Sequence, residues 1–178
     1  MYVELAEARG VTGFLHPCEA EKLPEFAAGK VCLEIGAFTG YSTWLMAQTA
    51  ASVFSVDTFK ANSAGTIQQD DLTTLTDFLR TIDGLGNVDY FIGTSAEYAA
   101  KIDKRSKFDF IFIDADHSYA AVKADIELWW PRLKKGGRMA FHDCFENHGY
   151  FPGVYQAVYE RFGEPEGCEI TLAWVTNR

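Results

Sequence analysis

The chain has no excess of basic residues, no paired cysteines and no long apolar run, and each absence removes a class of function. Across 178 residues, 16 Lys and Arg stand against 25 Asp and Glu, a formal net charge of -9. That balance opposes the basic footprint of a protein that binds nucleic acid or an anionic membrane, so the expected partner is a small-molecule substrate. The four cysteines (Cys18, Cys32, Cys144, Cys168) are scattered, with no C-x-x-C pair. This leaves no disulfide framework and predicts reduced thiols in a cytoplasmic protein, an expectation that the lack of a cationic, apolar leader supports. The longest uncharged stretch, Ile35 to Val56, is broken by glycines and polar residues and does not suit a membrane span. No repeat or low-complexity tract is present, and a G-x-S-x-G nucleophile elbow is missing as well.

What the chain does have is alternation. Hydrophobic residues make up 48% of it, and apolar runs of strand length recur between helical patterns. The runs are Val31 to Ile35, Val53 to Val56, Val88 to Ile92, Phe108 to Ile113 and Arg138 to His142, with a last β-rich run from Glu169 to Val175. Helical periodicity lies between them, through Trp44, Leu45 and Ala47, around Leu72 to Leu79, from Ser95 to Ile102, through Ala121 to Trp129, and from Val154 to Phe162. Near-continuous apolar strands alternating with helices predict an α/β fold: one Rossmann-like, doubly wound, mostly parallel sheet of six to seven strands with helices on both faces. Room remains for about one strand after the last helix. Residues 1–29 read as an N-terminal helical segment, a lid or a brace, broken at His16-Pro17, and residues 30–178 as the main domain.

Ligands of such sheets bind beyond the carboxyl ends of the strands, so those ends are read together. The first strand runs into Glu34-Ile35-Gly36-Ala37-Phe38-Thr39-Gly40, where Gly36 and Gly40 permit a tight turn. Phe38 occupies the place of the second glycine of a dinucleotide fingerprint, and Glu34 would repel a pyrophosphate but accept hydrogen bonds from an ammonium group. An NAD-dependent oxidoreductase is therefore the weaker reading. Asp57 ends the second strand, 21 residues beyond Gly36, where a carboxylate can accept ribose hydroxyls. A nucleoside with an amino-acid tail suits both positions. Thr94 and Ser95, after the third strand, are placed either along an adenine or as caps of the next helix.

The fourth strand ends in Asp114-Ala115-Asp116-His117 and the fifth in His142-Asp143. Adjacent strand tips stand about 4.8 Å apart, so Asp114 and Asp143 could share a hard divalent ion such as Mg²⁺. Strand alternation turns His142 to the opposite face unless the strand has already ended, in which case it becomes a third ligand and admits transition metals. Either His117 or Asp116 could act as the base that removes a substrate proton, the plainer alternative being a surface imidazole and a helix cap. Phe145, Tyr150 and Phe151 would wall a substrate pocket, Trp129-Trp130 is read as packing, and His16 and His148 as surface groups.

With Glu34 to Thr43, Asp57-Thr58-Phe59, Ile113 to Tyr119, Lys135-Gly136-Gly137, Phe141-His142-Asp143 and Pro152-Gly153-Val154 assembled, the chain resembles the class I S-adenosylmethionine-dependent methyltransferases from about Gly13 to Val175. Within them it is similar to the metal-dependent sugar and small-molecule O-methyltransferases and the cephalosporin-hydroxylase-like proteins. The resemblance implies S-adenosylmethionine as cofactor, held by Glu34, Gly36, Phe38, Gly40, Asp57, Ser95 and Asp114. It also implies a divalent cation on Asp114 and Asp143, with His142 where relatives often carry a second acid, and His117 or Asp116 as base. The implied reaction is methylation of a hydroxyl on a sugar or small metabolite. Methylation of nucleic-acid bases is disfavoured, since the Asn/Asp-Pro-Pro-Tyr motif is replaced by Asp114-Ala115-Asp116-His117. A non-catalytic cofactor-binding subunit, and a homo-oligomer, stay open.

Overall fold

Residues of alternate parity along each apolar run face opposite sides of one sheet, and that alternation builds two separate cores. The computed structural model describes residues 1–60, 71–146 and 150–178. Asn62, Ser63 and Gly65, in the polar stretch between the second apolar run and the helical pattern around Leu72, lie outside the described residues, as does His148. Seven strands form the sheet: β1 (Val31–Ile35), β2 (Ser52–Asp57), β3 (Val88–Ile92), β4 (Phe108–Ile113), β5 (Leu133–Phe141), β6 (Gly167–Glu169) and β7 (Leu172–Thr176). Their order is β3-β2-β1-β4-β5-β7-β6. The first five run parallel and β7 pairs antiparallel with both β5 and β6, so the sheet is mostly parallel with helices on both faces.

Helices α1 (Tyr2–Ala8), α2 (Pro17–Ala27) and α3 (Tyr41–Ala47) cover the face presented by Cys32, Val53, Phe110, Phe112 and Ala140. Helices α5 (Ser95–Lys101), α6 (Tyr119–Trp129) and α7 (Pro152–Phe162) cover the face presented by Leu33, Ile35, Ile111, Ile113, Met139 and Phe141. Phe78 of α4 (Asp71–Ile82) packs separately on Ala37 and Phe59. Along α2, Leu23 and Phe26 are buried, and the Phe26 ring meets Phe110 edge-on with centroids 5.7 Å apart. The N-terminal segment thus shares one core with the sheet. Trp129 is fully buried, as packing requires.

The carboxyl end departs from expectation, with two strands where one was expected. Strand β6 has three residues and no apolar run, so hydrophobic pattern could not reveal it; pairing with β7 creates it. Gly167 sits under the Trp174 ring, where a Cβ would come within 2.2 Å of a ring carbon. Strand β5 also begins earlier than Arg138. Leu133 pairs with Phe108 before an irregularity, and the Lys-Gly-Gly segment lies within the strand. It ends at Phe141, one residue before His142.

Strand order reverses between β1 and β4: the chain proceeds outward from β1 through β2 and β3, then returns to β4 beside β1. Such a switch point opens a crevice at the carboxyl ends, which places Glu34, Gly36, Asp57, Asp114 and Asp143 at or beside one mouth.

Candidate active site

The turn after β1 is held from three sides. Gly36 has φ +93° and passes so close to β4 that a Cβ would lie 2.0 Å from the Asp114 carbonyl oxygen, so only glycine fits. Asp57 Oδ2 accepts the amides of Ala37 and Phe38 at 2.7 and 2.8 Å, while its Oδ1 accepts the Phe59 amide at 2.7 Å. Phe38 and Phe59 adopt φ of 47° and 51°, a left-handed conformation disfavoured for bulky side chains, and the Asp57 carboxylate is what fixes both.

Glu34 lies inside the protein with no exposure. Its two oxygens accept the hydroxyls of Ser42 (2.5 Å), Thr43 (2.5 Å) and Ser55 (2.6 Å), tying β1 to α3 and β2. Burial pushes its carboxyl up to about 7, partly offset by these three hydroxyls. In this arrangement Glu34 braces the turn from behind, while Phe38 and Thr39 line a cavity of about 580 Å³ with Arg9, Gly13, Phe14 and Arg80.

At the tips of β4 and β5, two carboxylates and two imidazoles meet. His117 Nε2 lies 3.1 Å from Asp143 Oδ2 and 3.4 Å from Asp114 Oδ1. His142 Nδ1 lies 3.4 Å from each of the same two oxygens. His142 reaches them because β5 has already ended and Asp143 turns the chain with φ 54°, so strand alternation no longer governs its direction. Asp114, His117 and Asp143 each bring one donor atom within 4.8 Å of the others. The His117 ring stacks on Phe151, with centroids 4.2 Å apart.

Burial alone would disfavour every charge in this group, but mutual pairing outweighs it. Asp114 is held down to about 2, chiefly by the charge of His142 acting against its burial, and Asp143 is lowered as well by the two imidazoles. His117 is raised to about 9 and His142 to about 12, because the neighbouring carboxylates overcome their desolvation. Two carboxylates flanked by imidazole nitrogens form a donor set that fits a divalent cation.

Of the residues singled out from sequence, Asp114, His117, Asp143 and His142 come together. Asp116 does not: it is exposed, and its Oδ1 accepts the Ser118 amide at 2.8 Å in the turn before α6. Thr94 caps α5 in a reciprocal box with Glu97, and Ser95 Oγ donates to the buried Asp125. Gly40 is the left-handed residue preceding α3. His16, read as a surface group, caps α2 by accepting the Cys18 amide. The four cysteines are free.

One residue of the site escaped sequence reasoning. Glu19 of α2 is buried, and its Oε2 lies 3.3 Å from His142 Nε2. Its Oε1 accepts the Thr171 amide (2.7 Å), the Thr171 hydroxyl (2.8 Å) and the Leu172 amide (3.1 Å). Its Oε2 also accepts the His16 amide at 2.8 Å, and the capping-box spacing His16-Pro17-Cys18-Glu19 was the available signal.

A doubly wound sheet with a glycine turn after β1, an acid ending β2 and acids just beyond β4 and β5 is consistent with the class I S-adenosylmethionine-dependent methyltransferases. A family described as methyltransferase domain matches residues 33–144, and the chain belongs to that family. No curated protein matches the sequence significantly. Among solved structures, the chain is similar to CalS11, a TDP-rhamnose 3'-O-methyltransferase of calicheamicin biosynthesis, at 17% identity and TM-score 0.60, covering 89% of this chain and 77% of that one. It is similar also to an O-methyltransferase from Bacillus cereus in complex with SAH (21% identity, TM-score 0.60, 90% and 74% covered). A precorrin 8w decarboxylase from Methanobacterium thermoautotrophicum shares the fold equally well (19% identity, TM-score 0.60, 86% and 75% covered). At these identities the likeness establishes the fold, and the chemistry has to be argued from the site. No helix among the described residues is long and apolar enough to cross a membrane.

Proposed function

We propose that this protein transfers the methyl group of S-adenosylmethionine to a hydroxyl oxygen of a sugar or another small metabolite. The observation that carries this reading is the Asp114–His117–Asp143 cluster at the switch point, directly beside the glycine turn. The cofactor's methionyl end would lie against Gly36, Phe38 and Gly40, with its ammonium toward Asp114. Asp57 retains acceptor capacity for a ribose hydroxyl beyond the three amides it holds. Ser95, at the start of α5, would stand beside the adenine.

A divalent cation on Asp114 and Asp143 would supply positive charge that orients and acidifies an acceptor hydroxyl. His117, fixed by Phe151, would present Nε2 as proton acceptor once a cation takes up the charge of the two carboxylates that otherwise hold its proton; Asp116, turned to solvent, is set aside as base. The acceptor oxygen forms a bond to the methyl carbon as the carbon–sulfur bond breaks, leaving S-adenosylhomocysteine, and the hydroxyl proton passes to His117. Positioning supplies much of the rate in such a displacement. Phe151, stacked on the His117 ring, would offer a small acceptor one aromatic surface beside the base.

Support for an oxygen acceptor comes from the two similar structures that are O-methyltransferases. The test is transfer of labelled methyl from S-adenosylmethionine to a panel of sugar nucleotides, catechols and simple glycosides, with and without a chelator. Labelled product that disappears in D143A is expected. Binding of cofactor without methylation of any acceptor, at any divalent ion, would favour a non-catalytic partner subunit instead.

A further inference from the structure

Glu19 and His142 are far apart in sequence, nearly completely buried, and paired beneath the acid cluster. Neither takes part in the methyl transfer just described. His142 is 7% exposed, with one ring nitrogen toward Glu19 and the other toward both Asp114 and Asp143. Glu19 in turn accepts four further hydrogen bonds, from His16, Thr171 (two) and Leu172, which immobilise its carboxylate.

An imidazole with one nitrogen on a fixed carboxylate and the other aimed at paired acids has the arrangement of a metal-ligating histidine and its outer carboxylate, which sets the tautomer and the ring orientation. The separations agree. Ligands held about 2.0–2.2 Å from one ion lie roughly 3.0–3.5 Å from each other. His142 Nδ1 stands 3.4 Å from the nearer oxygen of Asp114 and 3.4 Å from that of Asp143. Charge-assisted hydrogen bonds would be drawn in to about 2.7–2.9 Å.

We infer that His142 is a nitrogen ligand of the divalent cation held by Asp114 and Asp143, that Glu19 is its positioning residue, and that the site selects a first-row transition ion over Mg²⁺. The inference rests on the cation reading of the proposed function and adds the identity of the ion. Magnesium takes oxygen ligands almost exclusively, whereas imidazole suits Mn²⁺, Co²⁺, Ni²⁺ and Zn²⁺ increasingly well. The N-terminal helix α2 and the turn before β7 thereby become parts of the site, since both hold Glu19.

The test is metal binding by the full-length, chelator-stripped protein, measured calorimetrically for Mg²⁺, Mn²⁺ and Zn²⁺ and by the visible ligand-field spectrum of Co²⁺, with S-adenosylhomocysteine present throughout. Transition ions are expected to bind at least ~10-fold more tightly than Mg²⁺. H142D should erase that preference while still binding divalent ions, and E19Q should weaken Co²⁺ binding by roughly 10–100-fold and alter its spectrum. A purely structural role for Glu19 would lower the melting temperature without moving the Co²⁺ spectrum or the ion preference. Wild-type protein that does not discriminate against Mg²⁺, or H142D that retains the wild-type preference, overturns the inference and leaves the cation reading intact. Failure of every divalent ion to bind, with S-adenosylhomocysteine still bound, overturns both.

Discussion

Replacing Asp57 by alanine tests how the glycine turn is held and what it holds. The carboxylate accepts three backbone amides, from Ala37, Phe38 and Phe59, at 2.7–2.8 Å. A hydrogen bond to a charged group contributes about 1.5–3 kcal/mol. Because Asp57 is partly exposed, water replaces some of what is lost, and the total falls below three times the lower figure: roughly 3–4 kcal/mol for the three together. Phe38 and Phe59, at φ of 47° and 51°, would relax once released, so the turn would not keep its shape alone. For a domain of this size, D57A should lower the melting temperature by about 6–16 °C. Asparagine keeps the acceptor for Ala37 and Phe38 but offers an N–H toward Phe59, so D57N should fall between. Thermal unfolding followed by circular dichroism reads the stability, and calorimetric titration with S-adenosylhomocysteine reads the binding, which should weaken at least ~10-fold in D57A through the lost ribose contact and the loosened turn. A D57A protein that melts within a degree of wild type and binds the ligand equally well would refute the reasoning.

Two further outcomes follow from the buried groups. Glu34 titrates near 7 in the folded chain and near its ordinary 4.5 when unfolded, so the native state binds more protons between those values and stability falls as pH rises from about 4.5 through 7. The loss amounts to at most about 3 kcal/mol, and E34Q should flatten it, seen as a smaller difference between urea midpoints at pH 5 and pH 8; equal slopes in both proteins would count against a protonated Glu34. H117A should abolish methyl transfer while leaving S-adenosylhomocysteine affinity within a factor of about three, since His117 faces the acceptor side of Asp114 and Asp143; retention of wild-type turnover would remove it as the proton acceptor.

Strands were legible wherever an apolar run ended in turn chemistry, which is why β1 to β4 stand close to where the pattern put them. The pattern failed where pairing, not hydrophobicity, makes the element: β6 has one cysteine between glycine and glutamate, and only its pairing with Leu172, Ala173 and Trp174 of β7 defines it. Lys134 to Gly137 reads as a turn by composition, yet belongs to β5, which pairs with β4 at Leu133 and again from Arg138 across a register irregularity. In the site, Asp114 and Asp143 could be located because strand tips are set by the fold. The choice between Asp116 and His117 could not, because it depends on a turn in which Asp116 caps the Ser118 amide and so faces outward. Direction of His142 hung on whether β5 ended one residue sooner. Glu19 was out of reach for a different reason: its contact with His142 spans 123 residues, and nothing local marks a glutamate on a helix as a partner of a distant strand tip.

The central claim is that the crevice beside Gly36, Asp57 and Asp114 holds S-adenosylmethionine. Titration of the purified protein with S-adenosylhomocysteine in a calorimeter tests it most directly, with NADH in a parallel titration. Saturable one-to-one binding of S-adenosylhomocysteine, weakened at least ~10-fold in D57A and absent for NADH, is the predicted result. No heat with S-adenosylhomocysteine at any accessible concentration, or tighter binding of NADH, would contradict it.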